Sequence, residues 1–138
     1  MSPKALPQAY LKKTTSRLKA LRVLLEDENY SDVVREAQEI VELVSKAVLR
    51  LGNLDPPQQH DVSRELEGIK NKFSALNAGE MDDLIFANRW LRREREMSFY
   101  GAEDFDPTEG YDKTDADKAF ALAEKAVRLL ALLLSPHT

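Results

Sequence analysis

Apolar residues recur along this chain at alternating steps of three and four, in segments separated by prolines, glycines or polar clusters. That period belongs to helices with one buried side. The clearest instance is SDVVREAQEIVELVSKAVLRL, where Val34, Ala37, Val41, Val44, Val48 and Leu51 form the stripe and Val33, Ile40 and Ala47 widen it. A face this broad predicts a central helix touched from two sides, with Ser31 as its N-cap and Gly52 as its stop. Before it, Leu11, Leu18, Leu21 and Leu25 predict a helix from about Leu6 to Glu28. After it, Pro56 and Pro57 forbid continuation. A third helix is expected from His60-Asp61 to about Leu76, with Val62, Leu66, Ile69 and Phe73 on one side and Asn77 and Gly79 ending it. A fourth, from about Met81 to Ser98, would bury Leu84, Ile85, Ala87 or Asn88, and Leu91.

The stretch FYGAEDFDPTEGYDK breaks the pattern, and a loop of this length tends to be functional or packed by its own side chains. Phe99, Tyr100, Phe105 and Tyr111 are its expected anchors. Thr114 and Asp117 then resemble a capping box opening the last helix, whose face is Ala116, Ala119 or Phe120, Ala123, Val127, Leu130 and Leu134. No alternating strand pattern and no long repeat is present. The expected architecture is all-α: an up-and-down bundle of about five helices, one domain over 1–138 with its core at about 8–134.

Composition narrows the chemistry. An apolar fraction of 43% against 32% charged residues describes an ordinary globular chain, able to fold around a core. There is no cysteine, which excludes disulfides and thiolate metal sites and suits a reducing interior, so a cytoplasmic location is expected. The two histidines, His60 and His137, are too few for a histidine-rich metal site. LLALLL at 129–134 is far too short to span a bilayer, so no membrane role is expected. There is no P-loop, GxGxxG, HExxH or GxSxG, and no cofactor is implied.

Charge is unevenly placed. Residues 1–25 carry six cations and no acid, a composition shared with mitochondrial transit peptides, although the leucine spacing favours a core helix there. Glu103–Asp117 holds seven acids and one lysine. Asp104 and Asp106 begin like a calcium loop, but Glu109 stands where that loop needs glycine and Pro107 intrudes. No metal is expected. The opposite sign gathers at Arg89, Arg92, Arg93 and Arg95, four arginines in seven positions. A solvated helix end explains part of this, since cations there gain a few tenths to about 1 kcal/mol from the helix dipole. Arg92 and Glu96 can also pair at a spacing of four. Guanidinium groups are equally suited to gripping phosphate. Trp90 is expected against a neighbouring helix or a second subunit.

Several features stand in a familiar order: Tyr30 before Y-x-x-V-V-R-x-A-Q-E-x-V-E-L-x-x-K-A-V-L, then Gly52, Pro56, Pro57, His60 and Asp61, the arginine-bearing helix end with F-Y-G, and E-G-Y before the last helix. Over roughly residues 8 to 134 the chain resembles the HEPN domain (higher eukaryotes and prokaryotes nucleotide-binding), in its small stand-alone prokaryotic form. The resemblance implies a helical bundle, a homodimer, and RNA or nucleotide as ligand. It also implies the toxin side of a two-component system whose antitoxin is an MNT-type nucleotidyltransferase. The family's active motif is Arg, four to six residues, then His, cleaving RNA at the dimer cleft without metal.

Onto that motif fall Arg93 and Arg95, with Tyr100 where the histidine would stand. Imidazole titrates near 6.5 and phenol near 10, a gap of about 3.5 units or roughly 5 kcal/mol in proton affinity. Tyrosine is therefore a poor general base at neutral pH, although it can stack or hydrogen-bond. The expectation is nucleotide or RNA binding through Arg89, Arg92, Arg93 and Arg95, with ribonuclease activity weak or lost. His60 is the substitute base only if folding brings it to the cleft; capping the third helix is its other role. The rival expectation is a non-catalytic protein–protein interaction module.

Overall fold

The computed structural model describes residues 4–58, 62–73, 78–100 and 110–135, with the side chains of 78–100 described through Arg92. Five α-helices lie among them: α1 (Ala5–Glu26), α2 (Tyr30–Leu51), α3 (Ser63–Ile69), α4 (Ala78–Tyr100) and α5 (Lys113–Leu133). A 3₁₀ turn at Lys70–Lys72 follows α3. The fold is an all-α bundle, as the apolar spacing predicts. His60, Asp61, Phe105 and Glu109 lie outside the described residues.

Helix α2 is the centre. Val33, Ala37, Ile40, Val44, Ala47, Val48 and Leu49 are all fully buried, on a face too wide for one neighbour. It packs most extensively on α5 and α1, then on α4, and touches α3. Helix α1 contributes Leu21 to the core, with Leu11, Leu18 and Leu25 half-buried against it. Two of its cations are held by the bundle: Arg17 reaches Glu39 of α2 at 3.4 Å and Arg22 reaches Glu124 of α5 at 3.6 Å.

The helix ends differ from their expected places, each for a local reason. Ser31 is not the N-cap of α2. That position is Asn29, because α1 ends in a Schellman motif that runs straight into α2. Glu28 takes φ 61°. The Glu28 and Asn29 amides donate to the Leu25 and Leu24 carbonyls, both at 3.0 Å, and Asn29 C=O then accepts from Val33 N–H at 3.1 Å. Helix α3 stops at Ile69 rather than near Leu76. Lys72 Nζ donates to the Gly52 carbonyl at 2.8 Å, tying the tightened turn to the end of α2, and Phe73 is extended. Helix α4 starts at Ala78, so Gly79 lies inside its first turn, where open space surrounds it. Helix α5 begins before the expected Thr114–Asp117 box. Asp112 is the N-cap, accepting from Asp115 N–H at 2.9 Å while Asp115 accepts from Asp112 N–H at 3.1 Å. Asp117 instead accepts from Lys113 at 3.1 Å, one turn apart.

Candidate functional site

Helix α4 carries the candidate residues, and its register sorts them. Leu84, Asn88 and Leu91 are buried and define its inward side. Asn88 belongs there because its amide is satisfied: Nδ2 donates to Ser45 Oγ at 2.8 Å and to the Leu84 carbonyl at 3.0 Å. Ser45 Oγ in turn donates to the Val41 carbonyl at 2.7 Å, so this polar bridge between α2 and α4 is complete at these atoms. Phe86 lies on the opposite side, 48% exposed despite being a large ring.

At 100° per residue, position 93 follows Phe86 by two turns, and position 100 follows 93 by two more. Position 95 shares the register of Leu84, Asn88 and Leu91 instead. Since α4 is continuous through Tyr100, positions 93 and 100 lie on one stripe of the helix and 95 about half a turn away. The side chains of Arg93, Arg95 and Tyr100 lie outside what is described, as does His60.

The other two arginines are described. Arg89 is exposed and meets Glu67 of α3 at 3.9 Å, with both side chains solvated, so the pair adds little stability. Its guanidinium remains accessible. Arg92 is half-buried. Trp90 is packed against the core at one edge and is covered by Lys118 of α5, whose Nζ sits 4.5 Å from the ring centroid. The same ammonium lies 5.2 Å from the Phe86 ring. The expected neighbouring helix is therefore α5. Neither Phe86 nor Lys118 stood out in the sequence; the available signal was Phe86 one turn before Trp90.

Toward the start of α4 the surface changes character. A groove of about 180 Å³ between α4 and α5 has Leu84, Leu122 and Leu129 along its floor, with Glu80 and Asp83 opposite Lys125 and Arg128. Tyr111, one of the expected loop anchors, is buried. Among the described residues no three acids or histidines gather as metal ligands, and no helix is long and apolar enough to cross a membrane.

An all-α bundle built on one central helix, with a basic and aromatic helix across it, defines the class of protein. A family model for the HEPN domain matches residues 7–133, and the chain belongs to that family. No curated protein and no solved structure matches it. Membership makes this a nucleotide- or RNA-related helical domain.

Proposed function

We propose that the protein binds single-stranded RNA or nucleotides through the C-terminal half of α4, with Arg93 contacting phosphate and Tyr100 stacking or hydrogen-bonding beside it. It acts as a homodimer, as the toxin-side component of a two-component system with an MNT-type nucleotidyltransferase, and its ribonuclease activity is weak or lost. The observation that carries this reading is the unbroken helix through Tyr100, whose register puts positions 93 and 100 on one stripe. That register supports Arg93 rather than Arg95 as Tyr100's companion. The accessible Arg89 one turn earlier adds to the positive end of α4. With phenol in place of imidazole, the stripe offers a phosphate grip and a stacking surface but no base suited to neutral pH.

The test is binding and cleavage of labelled single-stranded RNA in EDTA, comparing wild type with Arg93→Ala, Arg95→Ala and Tyr100→Phe. Arg93→Ala is expected to weaken binding and to reduce the slope of log affinity against log salt by about one. Arg95→Ala, on the inward register, is expected to lower thermal stability more than the salt slope. An unchanged affinity and slope in Arg93→Ala would overturn the assignment. Rapid cleavage lost in that variant would instead show a working ribonuclease. The second reading, a protein-interaction module, draws on the α4–α5 groove, where an apolar floor runs between walls of opposite charge.

A further inference from the structure

The ridge formed by Phe86, Trp90 and Lys118 precedes positions 93 and 100 on α4, with Phe86 on their register two turns before 93, and lies wholly within described side chains. Three facts about it need a common explanation. Phe86 is nearly half exposed on the outward side of α4, where a polar residue would satisfy the fold equally well. Lys118 meets both rings at 4.5 and 5.2 Å and has no carboxylate partner among the described residues, although its neighbour Asp117 is taken up by Lys113. Two of the positions one turn from Lys118 on α5, Thr114 and Ala121, are small and exposed.

We propose that this ridge is a base-stacking subsite for single-stranded RNA. An unpaired base lies on the Phe86–Trp90 surface while the Lys118 ammonium swings from the rings to the adjoining phosphate. The proposal rests on the RNA-binding reading above and extends the bound strand beyond the arginine stripe. An exchange of cation–π contact for phosphate contact keeps the ammonium paired in both states. An apolar protein partner would bury that ammonium without giving it an anion, which is costly. Inside duplex RNA each base face is already stacked on its neighbours, so the subsite favours unpaired strands. Glu80 and Asp83, toward the start of α4, repel phosphate and give the strand its direction, toward the arginine-bearing end.

Trp90 is the chain's single tryptophan, so its fluorescence reports on the ridge directly. The experiment titrates the full chain with oligouridine of about ten nucleotides, within the usual site size of single-strand binders, and with a blunt RNA duplex and a polyglutamate peptide as controls. Saturable quenching by oligouridine alone is expected. Phe86→Ala and Lys118→Gln are expected to weaken oligouridine binding about tenfold each, within the range of one lost stack, while Lys118→Arg retains it. Both positions are exposed, and circular dichroism verifies the fold of each variant. If Phe86→Ala and Lys118→Gln bind like wild type while Arg93→Ala is weakened, the subsite is overturned and the RNA-binding reading stands. If wild type ignores oligouridine, both fail; quenching by polyglutamate in that case assigns the ridge to an acidic protein partner.

Discussion

At Gly52 the chain needs a missing Cβ rather than an unusual backbone. Its φ is −85°, open to any residue, and the left-handed position belongs to Asn53 at φ 63°. A Cβ on Gly52 would stand 2.7 Å from Ile69 Cδ1 and 3.4 Å from Ile69 Cβ, and Ile69 is itself buried. The sequence marked Gly52 as the end of α2, and so it is, but the reason lies in α3, across a loop whose path no local pattern encodes. Asn53 completes the cap, its amide donating to the Arg50 carbonyl and that of Leu54 to the Leu49 carbonyl, both at 3.0 Å. Gly52→Ala should therefore displace Ile69 and cost about 1–3 kcal/mol, the usual range for overpacking. Urea unfolding would measure this, and a double change with Ile69→Val should recover part of the loss. An unaltered midpoint in Gly52→Ala would mean that the contact relaxes freely.

Among the elements, α2 and α4 show what periodicity can and cannot give. Both were legible because a stripe several turns long is hard to imitate by chance. The same reasoning carries the short α3 too far, since Phe73 continues the spacing of Leu66 and Ile69 although the helix has already tightened. At its end lie lysine contacts both within the turn and to other elements. Lys70 reaches Glu67 within its own turn at 3.2 Å and Asp82 of α4 at 3.5 Å. The hydrogen bond to Glu67, then the charge of Asp82, raises the Lys70 pKa above its ordinary 10.5. A raised value in the folded state means that folding binds the proton more tightly. The stabilisation is complete below 10.5 and is lost as pH climbs through the folded value. Lys70→Met should thus be less stable than wild type near neutrality, by the small amount typical of solvated pairs. Denaturant melts should show that difference shrinking above pH 10.5; a constant difference would assign it to packing of the lysine stem. The candidate site follows the same division. Sequence alone found the arginines and Trp90, which share one helix, but not the Glu67 and Lys118 contacts that arrive from α3 and α5.

For the whole molecule, the decisive feature is that α2 is shared by every layer. It touches α1, α3, α4 and α5, so no pair of helices has a core of its own. A chain of 138 residues organised this way should unfold in one cooperative step, the site-bearing helix included. Trp90 gives a local test. It reports on the α4–α5 seam, whereas far-ultraviolet circular dichroism reports on all five helices among the described residues. The two signals should fall together in a thermal or urea melt. Ile40 is fully buried in α2 and far along the sequence from the seam. Ile40→Ala should cost about 2–5 kcal/mol and should move both transitions by the same amount, because the cavity it leaves weakens the helix on which α4 and α5 both rest. Fluorescence changing ahead of circular dichroism would mean that α4 can leave the bundle while the rest stays folded. The stripe proposed to bind RNA would then be carried by a detachable helix, and bound RNA should raise the fluorescence midpoint more than the dichroism midpoint. Coincident transitions that ligand raises equally would make the stripe part of one rigid body, held in place by the same buried valines and leucines that made the fold legible.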